Sequence, residues 1–304
     1  MRVALVAIDP QNDFCASDTN PYGLPQGSLC VPGAQEDMER LAGFTNDISG
    51  HLDDIHITLD QHHDLDIAHG LWFADENGDA APPLTVMTYN ETDDTFVGLL
   101  FPDYQNSRKF RTRKMGKIPW TAALTGGKAL TFHGYTAWYI QQLTAKNRYA
   151  HVIWPEHCLI GTAGANVYPA FMEAAQNWAR NRARTLNFVA KGSNPFTEHF
   201  SAVQAEVQLP NDPGTQLNAG WVATLEKMDK VFLAGQALSH CLCHTGKDTV
   251  SAFSSPEHVK KITVLTDCAS SVSTFEDQGT EFLQWMKDRG AALMTTQEAR
   301  ALLK

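Results

Sequence analysis

The hydrophobic positions of this chain keep changing rhythm. An apolar run, VALVAID, predicts a first strand over roughly residues 2–8 that stops at Asp9. Pro32 and Gly33 then precede a pattern that sets Met38, Leu41 and Phe44 on one face, which predicts a helix over about 35–48. A second strand is expected over 55–59, with the polar cluster 60–66 directly behind it. The stretch 70–130 is the least regular: Pro82-Pro83, acidic and Asn turns and Gly126-Gly127 suggest an elaborated loop or small subdomain. A helix follows over 136–146, a short strand over 151–154, a helix over about 169–182, and a strand over 185–190 that ends at Lys191. The last third alternates most clearly. Helices are expected over 215–228, about 239–253 and 274–289, strands over 230–234, 261–266 and 291–294, and a final helix closes the chain.

Apolar strands alternating with helices imply a mostly parallel central sheet covered on both faces, a three-layer α/β/α arrangement. No internal repeat is visible, so residues 1–304 are read as one domain with an insertion at about 70–150. In such sheets the ligand site lies beyond the carboxyl ends of the strands. Asp9, Asp60, Lys191 and the loop 235–241 all fall at such ends, which links distant positions to one cleft.

Composition narrows the classes. A chain of 304 residues that is 43% hydrophobic can bury a sizeable core, and its net charge of -10 argues against nucleic acid or anionic membranes as partners. The basic run Arg108, Lys109, Arg111, Arg113, Lys114 and Lys117 reads as a solvated face, with a partner-binding patch as the alternative. The apolar runs are too short to span a bilayer, and the first strand begins without a secretory leader before it. Six cysteines scattered through this length do not make a disulfide framework; free thiols in a reducing, cytoplasmic setting are expected.

Cys241 stands at or near a helix start, after a strand and a Gly-containing turn. Helix N-terminal amides favour a thiolate and can stabilise an oxyanion, so a nucleophile fits here; an inert half-buried thiol is the plain alternative. His240, Cys241, Cys243 and His244 are too compressed for a usual zinc site, and Cys243 reads as core-facing. Asp9 could accept a thiol proton and Lys191 could hold that carboxylate, or the two could form an ordinary strand-end ion pair. Asp60 and His62 share one side of a strand exit, and His157 in WPEHC offers a third metal ligand. His63, Asp64, Asp66 and His69 are candidates for supporting hydrogen bonds. All of these could equally be turn caps and surface groups.

Read together, AIDPQNDF, TLDQHH, WPEHCLIGTAG, AKG, AGQALSHC and LTDCASS resemble, in order and spacing, the nicotinamidase/isochorismatase-type cysteine hydrolases, above all the metal-containing nicotinamidase (pyrazinamidase) branch. The resemblance covers most of the chain and implies the isochorismatase-like hydrolase fold. It implies an Asp9–Lys191–Cys241 triad, a cis peptide between Gln236 and Ala237, and an oxyanion hole from the backbone of Ala237 and Cys241. It further implies one divalent ion on Asp60, His62 and His157, zinc foremost with iron or manganese as alternatives. Phe14, more loosely Trp72, and His240 are the implied substrate contacts, and Glu198 in KGSNPFTEHFSA is a candidate for shaping the pocket.

The sequence departs from the family pattern in several places. His240 replaces an aromatic residue common before the nucleophile, Asp-Trp-His-Pro reads Asp60-Gln61-His62-His63, and Asp66 stands where a further histidine is often found. The region between His62 and His157 is also longer than in compact members. The implied activity is hydrolysis of nicotinamide to nicotinate and ammonia through a cysteine thioester. Alternatives are an amidase for another small planar or carbamoyl-bearing substrate, and a catalytically inactive small-ligand binding protein. The implied partner is a small amide, with a homo-oligomer left open.

Overall fold

The computed structural model describes residues 1–102 and 104–303. The chain begins with β1 (Val3–Ile8), the single-turn helix α1 (Asn12–Cys15), α2 (Ala34–Asp47) and β2 (Asp54–Asp60). The insertion carries β3 (Phe73–Ala74), β4 (Thr85–Asn90), β5 (Thr95–Leu99), β6 (Ser107–Thr112), the short β7 (Lys117–Ile118) and β8 (Leu130–Thr131), then α3 (Phe132–Ala145) and β9 (His151–Ile153). The remainder alternates through α4 (Pro169–Arg182), β10 (Asn187–Lys191), α5 (Ala219–Glu226), β11 (Lys230–Gly235), α6 (Cys241–Ala252), β12 (Ile262–Leu265), α7 (Glu276–Asp288), β13 (Ala292–Met294) and α8 (Thr296–Ala301).

The central sheet has the order β10-β2-β1-β11-β12-β13, and every neighbouring pair is parallel. Its middle strands are buried on both faces, which is why β1 and β12 read as unbroken apolar runs. The edge strand β10 instead alternates, with Phe188 exposed. Helices α2, α4 and α8 pack together, as do α5, α6 and α7, giving a three-layer α/β/α fold. The chain first adds strands on one side of β1 and then jumps to β11 on the other. That switch opens a crevice at the carboxyl ends of β1 and β11, the usual ligand position in such sheets.

The insertion differs from the irregular loop that its sequence suggested. It forms an antiparallel sheet, β3-β6-β5-β4-β9, closed over a second core that includes Phe73, Phe96, Phe110, Tyr135 and Tyr139. Its strands hide their periodicity because one face is wet: in β6, SRKFRT, only Phe110 and Thr112 are buried. The expected strand 151–154 exists as β9 but pairs antiparallel with β4, outside the parallel sheet. The helix expected from 215 begins at Ala219, because Asp212 and Pro213 set a 3-10 turn first and the Asn218 side chain then caps Trp221 N–H. Among the described residues no helix is long and apolar enough to cross a membrane, and all six cysteines are unpaired.

Candidate active site

Four strand ends deliver the central cluster. Asp9 follows β1 in a left-handed conformation (φ 42°), a strained state for a non-glycine residue. Two hydrogen bonds with Thr58 hold it: its N–H donates to Oγ1 at 2.9 Å, and the hydroxyl donates back to Oδ1. Lys191 ends β10 and is followed by Gly192 at φ +81°, where a Cβ would sit 2.6 Å from Asp60 Oδ1. Only glycine lets the chain turn there without displacing that carboxylate. Cys241 is the first residue of α6, and a cis peptide joins Gln236 to Ala237 just upstream.

Asp9, Asp60, Lys191 and Cys241 are all buried. The Lys191 ammonium lies 2.9 Å from Asp9 Oδ2, 2.9 Å from Asp60 Oδ1 and 3.7 Å from Cys241 Sγ. Burial disfavours its charge, yet the Asp60 and Asp9 carboxylates outweigh that and hold its pKa well above the lysine range. Burial also raises the Asp9 carboxyl, tempered by Lys191, which makes it a stronger base than an exposed aspartate. The Cys241 thiol is pushed well up by burial and by Asp9 and Asp60, against the pull of Lys191. The resting sulfur is therefore a thiol beside a base, rather than a standing thiolate.

A histidine cluster adjoins this group through Asp60. Asp60 Oδ2 lies 3.2 Å from His62 Nε2 and 3.6 Å from His157 Nε2. His157 donates Nδ1–H to the Pro155 carbonyl at 2.8 Å, and His62 Nδ1 meets Asp66 Oδ2 at 3.0 Å, so both rings turn Nε2 toward Asp60. The ligand nitrogens of His62, His69 and His157 all lie within 4.8 Å of one another. His69 is fully buried, and neither of its ring nitrogens makes a well-formed hydrogen bond. Burial and the two neighbouring histidines lower it to about 3, so it is a neutral imidazole. Three converging imidazoles beside a carboxylate fit a divalent transition ion.

Sequence reasoning named Asp60, His62 and His157 as ligands and His69 as a supporting group; the structure brings His69 close to His62 and His157 as well. The signal lay seven residues past His62, beyond the nearer position that Asp66 occupies. Asp66 has a different task, orienting His62.

A narrow cavity of about 20 Å³ lies beside Cys241, lined by Phe14, Trp154, Phe200, Ala237 and His240. Phe14 and His240, the substrate contacts that the resemblance implied, both line it. Trp72 does not line this cavity: it is buried in the second core, packs on Phe132 and Phe196, and donates its indole N–H to Thr136 at 2.9 Å. The tryptophan at the cavity is Trp154, three residues before His157 in WPEHC. Glu198 also reaches the wall, and burial pushes its carboxyl up to about 7 against the pull of His62. A wider hollow of about 530 Å³ lies on the insertion near Tyr89 and Leu143, and none of the cluster residues lines it.

The whole chain superposes on solved nicotinamidases at low identity. A nicotinamidase/pyrazinamidase from Acinetobacter baumanii matches with a TM-score of 0.55 and 17% identity, over 98% of this chain and 98% of that one. The yeast nicotinamidase Pnc1p gives 0.56 and 18%, over 96% and 99%. PnC1 from L. infantum in complex with nicotinate gives 0.51 and 17%, over 97% and 93%. The chain shares their fold. It is the isochorismatase-like hydrolase architecture, three layers around a mostly parallel sheet. No protein-family model matches the chain, and no curated protein sequence does. The cysteine and histidine clusters are consistent with a metal-dependent cysteine hydrolase.

Proposed function

We propose that the protein is a nicotinamidase-like amidohydrolase that converts nicotinamide to nicotinate and ammonia. The observation that carries this reading is the single buried ammonium of Lys191, shared by Asp9, Asp60 and the Cys241 sulfur. Asp9 takes the Cys241 proton as sulfur attacks the amide carbon, and the C=O electrons move onto oxygen. Backbone N–H groups of Ala237 and Cys241 receive that oxyanion. Collapse breaks the C–N bond, and Asp9 returns the proton to the departing nitrogen, releasing ammonia and leaving a thioester. Water, deprotonated by Asp9, then hydrolyses the thioester to nicotinate and restores the thiol. Lys191 keeps Asp9 ionised and in place through both halves.

Asp60, His62, His69 and His157 would hold the divalent ion, zinc first, with iron or manganese as alternatives. When bound, it supplies a Lewis acid for a ring nitrogen and so positions the amide. A second reading, an amidase for another small planar or carbamoyl-bearing substrate, draws on the sheet inserted beside the cavity. Ammonia release from nicotinamide, pyrazinamide and N-carbamoyl compounds separates the two. Cys241→Ala should remove turnover, and a thioester should be trapped by mass spectrometry in the parent protein. Near-normal hydrolysis by Cys241→Ala sinks the assignment, and tight binding without ammonia release across the set indicates a binding protein instead.

A further inference from the structure

Gln236 is fully buried one residue before Ala237, and its partners fix which way its amide faces. Its Nε2–H donates to Asp37 Oδ2 at 2.9 Å, and its Oε1 accepts the Ser270 N–H at 3.3 Å. An ionised carboxylate only accepts and a backbone N–H only donates, so the amide cannot turn over without losing both bonds. Asp37 stands in the first turn of α2 on a buried face that it shares with Met38 and Leu41. Arg40 donates Nη2–H to its Oδ1 at 2.7 Å and Nε–H to the Asp267 carbonyl at 2.5 Å. Burial raises the Asp37 carboxyl against the hydrogen bonds of Ser270, Gln236 and Arg40. A carboxylate among apolar side chains is costly unless such partners hold it, and here they tie α2 to two loops at the carboxyl end of the sheet.

What this network holds is the turn between β11 and α6. On either side of Ala237, Gln236 N–H donates to the Ile8 carbonyl at 2.8 Å and Leu238 N–H to the Ser270 carbonyl at 2.7 Å. The Ala237 carbonyl accepts the N–H groups of His240 at 3.0 Å and Leu242 at 3.1 Å, the two residues that flank Cys241. Ala237 lines the cavity beside Cys241, and its own N–H meets no acceptor among the described residues. A displaced Gln236 therefore carries Ala237 with it, and the Ala237 carbonyl passes the shift on to the start of α6. Resting on the nicotinamidase-like reading, in which the Ala237 and Cys241 N–H groups receive the oxyanion, we infer that Asp37 is a positioning residue for amide hydrolysis. It acts through the Gln236 amide to hold those two donors in register, without itself lining the cavity.

The test removes each end of the contact. Gln236→Met keeps the length of the side chain but loses both bonds, while Asp37 retains Arg40; Asp37→Leu removes the carboxylate. With nicotinamide, kcat should fall about tenfold in each variant while KM stays within about threefold, because oxyanion donors act on the transition state more than on the bound amide. Pyridine-3-carbaldehyde is the second probe. The Cys241 sulfur bonds to its carbonyl carbon, the C=O electrons move to oxygen, the thiol proton passes to Asp9, and no group leaves. Its inhibition constant should weaken by the factor by which kcat/KM falls, a match that general loosening of the fold does not produce. The double variant should fall no further than the lower of the two single ones, since both act through one contact.

An unchanged kcat in Gln236→Met, or a loss confined to melting temperature or KM, overturns the inference and leaves Asp37 as a structural cross-link. Losses that multiply in the double variant overturn it too, because the two residues then act separately. Should Asp37→Leu fail to fold, Gln236→Met decides alone, by kcat and aldehyde affinity together. Absence of ammonia release from nicotinamide by the parent protein is a different result: the nicotinamidase-like reading itself then fails, and this inference goes with it.

Discussion

Two buried charge clusters in this molecule use the same ingredients for opposite ends. At the sheet edge one ammonium, Lys191, is divided between Asp9, Asp60 and the Cys241 sulfur. At the seam between the insertion and α6 one guanidinium, Arg148, shares its Nη2 between both oxygens of Asp248 at 3.1 Å. Arg148 Nε also reaches Glu206 Oε2 at 3.6 Å, and His244 Nδ1 meets Glu206 Oε1 at 3.1 Å. The seam ties one planar cation to acidic residues from two other segments, so it holds segments together. The edge has a point charge with three claimants and, beside it, His69 with both ring nitrogens unpartnered. Neither burial nor unfinished pairing separates them, since both leave buried polar atoms without a hydrogen bond; the sulfur beside the edge ammonium does.

The sharpest way to break that contrast is to remove one member from each cluster. Asp9→Asn keeps the volume but takes away the base, and kcat should fall by about 10³-fold, with only a small change in melting temperature. A variant that stays near normal turnover would show that Asp9 is an ordinary strand-end ion pair. Arg148→Met should do the reverse. It leaves Glu206 without its buried cation and should cost about 3 kcal/mol of unfolding free energy, read by denaturant titration. Loss of turnover in a fully stable Arg148→Met protein would erase the distinction between the two clusters.

Acid should separate them next. Burial alone would raise Glu206, but His244 and Arg148 outweigh it and hold its carboxyl below the ordinary value of 4.5. An acid depressed in the folded state contributes its full stabilisation above the unfolded value and loses it as pH falls through the folded one. The seam should therefore hold from neutral pH down to about 4.5 and weaken below it. At the edge the shifts oppose each other, with Asp9 raised by burial while Lys191 and His62 hold Asp60 well below its usual range despite burial. Hydrogen exchange below pH 4.5 should thus accelerate around Arg148 and Glu206 before it does in β1 and β2. Simultaneous opening of both regions would refute this order.

The same division explains what the sequence made legible. Strands β1, β2, β10 and β11 are buried on one or both faces, so apolar runs revealed them, and their last residues pointed to Asp9, Asp60 and Lys191. The insertion sheet was hidden because β4 and β6 each bury only two or so side chains on a single face. Contacts that depend on long-range packing were the hardest to see. His69 joins His62 and His157 only because the chain from Asp66 turns back, with His69 N–H bonding to Asp66 C=O at 3.0 Å. Trp72 and Trp154 look alike in sequence, and only the direction of the Gly70–Trp72 turn sends the first into the second core.

The basic run on the insertion offers the smallest expected effect and the cleanest control on the comparison. Three of its charges are spent locally: Arg108 pairs with the buried Asp75 at 3.0 Å, Lys109 with Asp93 at 3.7 Å, and Arg113 donates to the Gly78 carbonyl at 3.0 Å. Lys109 and Asp93 are both exposed, so solvent screens the attraction and the long lysine side chain loses entropy in holding it. Lys109→Ala should therefore shift the melting temperature by no more than about 2 °C and leave amide turnover unaltered. A marked loss of stability would mean that the exposed pair behaves like the buried seam, and pairing geometry rather than burial would then set the cost. A change in turnover alone would instead make this face part of how substrate reaches the cavity, the one role that its solvated, self-paired charges argue against.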